Sequence, residues 1–169
     1  MTRFFSLFIV LVLTWCNNTL FAQTTLLDFD ALSVMDQSRL EKIVKEEAVE
    51  SEGERGYVFF LYQNIPMAMQ SDTTFDRMRI FAPIIEKDKL TPEQKDILLE
   101  ANYHSALDGR YAVSEGFLMA VFIHPISPLT EEQVQSGLRQ VAALVRNFGT
   151  TYSSDELSFG ASADDSGQN

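Results

Sequence analysis

The chain has 169 residues, a formal net charge of −11 at pH 7, one cysteine and one tryptophan. So acidic a chain is repelled by the phosphates of nucleic acid and by anionic membrane surfaces, and it suits a basic partner. Its length is that of one domain with a core of its own.

The first residues read "MTRFFSLFIVLVLTWCNNTLFAQ". Arg3 supplies a short positive region, and Phe4 to Trp15 is an apolar run. Such a run has the length of a signal-peptide core and is too short to span a bilayer. Ala22 is a small residue just before Gln23, so residues 1–22 are expected to be a signal peptide cleaved there. Lipidation of Cys16 would need a small residue before it, and Trp15 occupies that place. The mature chain is therefore expected in the periplasm or outside the cell, with no membrane association after cleavage. It loses its only cysteine and tryptophan, so it has no disulfide, thiolate nucleophile or cysteine metal site. Loss of Arg3 takes the net charge from −11 to −12.

"SVMDQSRLEKIVKEEA" places Leu40, Ile43, Val44 and Glu47 at helical spacing and predicts an amphipathic helix over 31–50. "ESEGERG" follows, and Gly53 and Gly56 predict a loop. "YVFFLY", 57–62, is β-branched and aromatic and predicts a strand. Pro66 predicts a turn or an edge position, with a second strand over 67–70. "FDRMRIFAPII" alternates, with Met78, Ile80 and Ala82 on one face and Arg77, Arg79 and Phe81 on the other.

"LTPEQKDILLEANYHSAL" opens with Thr91 as N-cap, Pro92 at the first helical position and Gln94 closing a capping box. It predicts a helix over 92–106, stopped by Asp108-Gly109 with Gly109 in the left-handed C-cap conformation. "RYAV" and "FLMAVFI" form a hairpin about Ser114-Glu115-Gly116. Thr130 and Gln133 repeat the capping box before a helix whose apolar stripe is Val134, Leu138, Val141, Val145 and Phe148. Residues 151–169 are rich in Ser, Gly and Asp and are expected to be a disordered acidic tail. The fold class is α+β: an antiparallel sheet with helices packed on it, in the order α-β-β-β-α-β-β-α over residues 23–150.

Glu100, His104 and Asp108 fall at i, i+4 and i+8, which on a continuous helix would gather a general base or a metal site. No HExxH motif, nucleophile elbow or phosphate loop accompanies them, so a solvated helix face is the simpler reading. Asp72 and Asp76 in "SDTTFD" lack the further carboxylates and the glycine of a calcium loop, and a capped turn accounts for them. No catalytic residue, metal or cofactor is expected.

The apolar strands carry more. "YVFFLY" and "FLMAVFI" are apolar at successive positions, whereas a sheet covered on one face alternates. Something is expected to cover the second face: a helix, a second subunit or a bound polypeptide. Phe59, Leu61, Met67, Met69, Met119 and Val121 are the candidate binding residues, the methionines being adaptable contact groups.

The run "ILLEANYHSALDGRYAVSEGFLMAVFIHPISPLTEEQVQSGLRQVAALVRNF" resembles the YbjN-like family, which belongs with the type III secretion chaperone-like fold. The resemblance lies in a helix ending in a leucine pair and Asn102, a short strand, a turn, a long apolar strand ending at a proline, "LTEEQ" and a final apolar helix. It implies a compact α+β domain, often dimeric, with no catalytic residues. It also implies binding of extended partner segments, or a sensory or regulatory role. The signal peptide departs from the cytoplasmic secretion chaperones and leaves a protein partner, with a possible homodimer, as the expected role.

Overall fold

The computed structural model of the protein describes residues 34–155. The expected signal peptide, residues 31–33 of the first helix and most of the expected tail lie outside them. Three helices and six strands follow in order: α1 Gln37–Glu47, β1 Glu50–Glu54, β2 Tyr57–Tyr62, β3 Ile65–Asp72, β4 Arg77–Glu86, α2 Pro92–His104, β5 Gly109–Ser114, β6 Phe117–His124 and α3 Glu131–Arg146. All strand pairs are antiparallel, and the sheet order is β1-β2-β3-β4-β6-β5. The expected α-β-β-β-α-β-β-α order holds, with one strand added.

That added strand is "ESEGE", which the glycines pointed to as a loop. Gly53 is compatible with strand pairing because it takes φ +132°, and a Cβ there would meet the Tyr57 carbonyl oxygen at 2.3 Å. The hairpin then closes over Arg55-Gly56. Helix α1 is shorter than the pattern predicts. Asp36 accepts a hydrogen bond from the Arg39 N–H and fixes its start, and Ala48 is already extended. Both predicted capping boxes form, at Thr91/Gln94 and Thr130/Gln133.

The helices cover one face of the sheet. Met78, Ile80 and Ala82 of β4, Val58 and Phe60 of β2, and Leu118, Ala120 and Phe122 of β6 are buried there with Leu138, Val141 and Leu144 of α3 and Leu40 and Val44 of α1. Each fully buried Leu, Ile or Phe stabilises the fold by about 1.5–3 kcal/mol. Gly137 lets α3 settle on the sheet, since a Cβ there would lie 2.8 Å from the Phe122 ring.

The end of α2 differs from expectation. The helix stops at His104, and Leu107 rather than Gly109 takes the positive φ, at 58°. Gly109 opens β5, and glycine is needed there for space: a Cβ would sit 2.7 Å from Leu144 Cδ1. Residues 151–155 pack on the domain. Tyr152 and Ser154 are buried, and the Ser154 N–H and hydroxyl both donate to the Ser105 carbonyl.

Asp72 and Asp76 serve the β3–β4 turn. The Asp72 carboxylate accepts from the N–H groups of Thr74 and Phe75. Asp76 accepts from the Ser127 hydroxyl at 2.7 Å and its N–H at 2.9 Å, which lowers the Asp76 pKa below 3.8. A lowered folded-state pKa gives stabilisation that is complete above the unfolded value and is lost as pH falls through the folded one. Thermal melts of the wild type are therefore expected to lose midpoint on descending from about pH 5 to pH 2, and Asp76→Asn to lose less over that window.

Candidate functional site: the open face of the sheet

Among the described residues no helix lies across the second face of the sheet, and strand register sets what it displays. One row crosses all six strands: Glu52, Phe59, Ala68, Phe81, Val121 and Arg110 are successive cross-strand partners. Beside it runs Glu54, Tyr57, Gln70, Arg79 and Ile123. On the other side lie Glu50, Leu61 and Pro66, then Pro83, Met119 and Ala112.

The centre of this face is apolar and aromatic. Tyr57 packs edge-on against Phe59 at 4.8 Å and against Phe81 at 6.4 Å between ring centroids. Ala68 and Val121 are buried beneath their neighbours, while Phe59 remains 49% and Ile123 58% exposed. A shallow depression of about 410 Å³ lies between Glu50, Glu52, Phe59, Leu61 and Pro66. Pro66 of β3 closes one side of it. The β3–β4 pairing starts at Ala68/Phe81, two residues short of Pro66 and Pro83, neither of which has an N–H to donate.

Charge divides the face. Glu50, Glu52 and Glu54 stand along β1, all exposed, and their carboxylates make no ion pair or hydrogen bond among the described residues. The cations stand toward the other side and are engaged. Arg79 donates to Gln70, Arg77 to the Asp76 carbonyl, and Arg110 to the carbonyls of Leu107 and Gly109.

Four of the six candidate residues, Phe59, Leu61, Met119 and Val121, share this face. Met67 and Met69 do not: they are 3% and 0% exposed and lie in the core. The reason is the two-residue turn at Gln63-Asn64, both at positive φ, which pairs Phe60 with Met67 and Val58 with Met69. Sequence reasoning missed Tyr57, Phe81 and Ile123. Phe81 and its alternation with Ile80 were visible, but their face could be assigned only with the register of β4 on β6.

The two edges of the sheet are treated differently. At β5 the side chain of Asn102 accepts from the Tyr111 N–H at 2.7 Å and donates to the Tyr111 carbonyl at 3.0 Å, as a neighbouring strand would. Gln140 Oε1 takes the N–H groups of Asp108 and Gly109. The Tyr111 hydroxyl donates to the Leu144 carbonyl, and burial raises its pKa. At β1 no such cap is present among the described residues, and all five residues are exposed.

Glu100, His104 and Asp108 do not form the expected alternative site. The helix ends at His104 and the chain reverses at Leu107, so Asp108 leaves the helix face. No group of three potential ligands is placed to hold a metal ion among the described residues. His124 stacks on Phe122 at the end of β6, with Nδ1 2.8 Å from the Pro125 carbonyl oxygen.

No protein-family model and no curated protein matches the chain. Solved structures do. A chain of the HopA1–SchA chaperone–effector complex superposes with a TM-score of 0.51 at 11% identity, covering 64% of this chain and 88% of that one. A chain of the ExsC–ExsE complex also gives 0.51, at 17% identity, covering 66% and 95%. The likeness is one of fold. The chaperone-like α+β fold expected from the sequence is the fold this chain has. At 11% and 17% identity the properties of the open face rest on this chain's own side chains.

Proposed function

We propose that the protein is a non-enzymatic, periplasmic or secreted binding module that takes up an extended segment of a protein partner on the open face of its sheet. The observation that carries this reading is the uncovered aromatic band of Tyr57, Phe59 and Phe81 with Ile123 beside it. Complete burial of such side chains is worth about 1.5–3 kcal/mol each, so a partner that covers them gains affinity directly. A solved structure of similar fold is a chaperone bound to an effector, which supports a protein as the ligand class. The apolar run from Phe4 to Trp15 supports export, and among the described residues no helix is long and apolar enough to cross a membrane.

Kinship with the YbjN-like family is part of the same proposal. Its support is the motif itself, in which Asn102 after the leucine pair holds the following strand. A homodimer closed through the same face is the competing reading, favoured by the same exposed band.

Crosslinked capture from the cell envelope, with the mature protein as bait, tests the proposal. Phe59→Ser is expected to lower recovery of the partner about tenfold, the equivalent of one lost anchor contact. The variant should keep the wild-type circular dichroism spectrum. Equal recovery by both proteins contradicts the proposal. A sedimenting mass of two chains that Phe59→Ser halves supports the homodimer instead.

A further inference from the structure

We infer that the partner segment is cationic, an extended stretch with Lys or Arg at alternate positions, laid along β1 with the aliphatic stem of one of these side chains in the depression beside Phe59, Leu61 and Pro66. This rests on the open face being the binding surface, and it adds which chemistry that surface selects.

Strand geometry provides the match. Glu50, Glu52 and Glu54 are alternate residues of β1 and therefore point to the same face, about 7 Å apart. That spacing lies within one screening length at physiological salt, so the three carboxylates act on a ligand as one field. They repel one another, and no cation of the described chain pairs with any of them. An extended polypeptide repeats its side chains at the same interval, so Lys or Arg at every second position meets the three in register. Glu50 and Glu52 also line the depression, which places the charged row and the apolar contact on one ligand.

The alternatives fit less well. A second copy brought edge to edge at β1 would set glutamates against glutamates, and like charges directly opposite destabilise a strand pair. An acidic segment meets the same repulsion. The arginines of this face are held by Gln70 and by backbone carbonyls away from β1, so they do not neutralise the row.

The test uses three synthetic peptides of equal length, alternating Lys-Val, Ser-Val and Glu-Val, titrated against the mature protein by fluorescence anisotropy. The Lys-Val peptide is expected to bind about tenfold tighter than Ser-Val at low ionic strength, with the gap closing as salt is added. In the triple variant E50Q/E52Q/E54Q the two should bind alike, while Phe59→Ser weakens Lys-Val binding. Equal binding of all three peptides that is still lost in Phe59→Ser overturns the cationic preference and leaves the open face as the site. Lys-Val binding that is unchanged in both variants overturns the site itself. A dimer that excludes every peptide assigns the face to a second copy and overturns the inference.

Discussion

Replacing Gln140 with leucine is expected to lower the unfolding free energy by about 3 kcal/mol. Gln140 is 1% exposed, and its Oε1 accepts from the backbone N–H groups of Asp108 and Gly109 at 3.1 and 2.8 Å. Its Nε2 donates to the Ser136 hydroxyl. Leucine fills a similar volume but accepts nothing, so the donors at the start of β5 lose their partner. A buried donor left unsatisfied costs about 1–3 kcal/mol, more than the net worth of the bond it replaces. Urea denaturation should show a lower midpoint with an unchanged slope, because the same surface is exposed on unfolding. A midpoint within error of the wild type would mean that water enters the α3–β5 junction and replaces the amide.

Asn102→Ala is the second large effect, expected to destabilise the fold by about 1–2 kcal/mol. The amide bonds both the N–H and the carbonyl of Tyr111, and the site is only half-buried, so water recovers part of the loss. The more informative consequence is at the sheet edge. With the amide gone, β5 offers unpaired backbone groups, and exposed edges recruit other strands. The variant is expected to self-associate with rising concentration in sedimentation velocity, while the wild type does not associate through this edge. Asn102→Gln does not restore the cap, since the longer side chain displaces the amide from Tyr111.

Much of the fold was legible in local chemistry. The two threonine-glutamine capping boxes, the alternation of Met78, Ile80 and Ala82, and the apolar stripe of α3 each depend on residues a few positions apart. Where the reading failed, the deciding contact was distant or conformational. β1 is polar throughout and pairs only because Gly53 adopts a backbone that other residues avoid. The contacts of Tyr152 and Ser154 are likewise set at a distance, by Ser105 nearly fifty positions earlier. The candidate site was half legible for a related reason. Its strands were identifiable from composition, but the faces of Met67 and Met69 depend on a two-residue turn without glycine, at Gln63-Asn64. The acidic row drew no attention as sequence, because three glutamates become a surface feature only once β1 is known to be a strand.

The open face also explains why an antiparallel sheet of this size retains aromatic residues on its uncovered side. Contiguous apolar surface on a soluble protein marks an interaction site more often than an accident of packing. Here it is bounded by unpaired acids on one flank and hydrogen-bonded arginines on the other, an arrangement that would both attract and orient the proposed ligand.

The most direct measurement is site-specific photocrosslinking in the cell envelope, with the reactive side chain in place of Phe59 in one protein and of Tyr103 in another. Both positions are exposed, but Phe59 is on the open face and Tyr103 is on α2. A discrete adduct with a second protein from the Phe59 position, and none from Tyr103, is the predicted result. Adducts of equal yield from both positions, or from Tyr103 alone, would contradict the account.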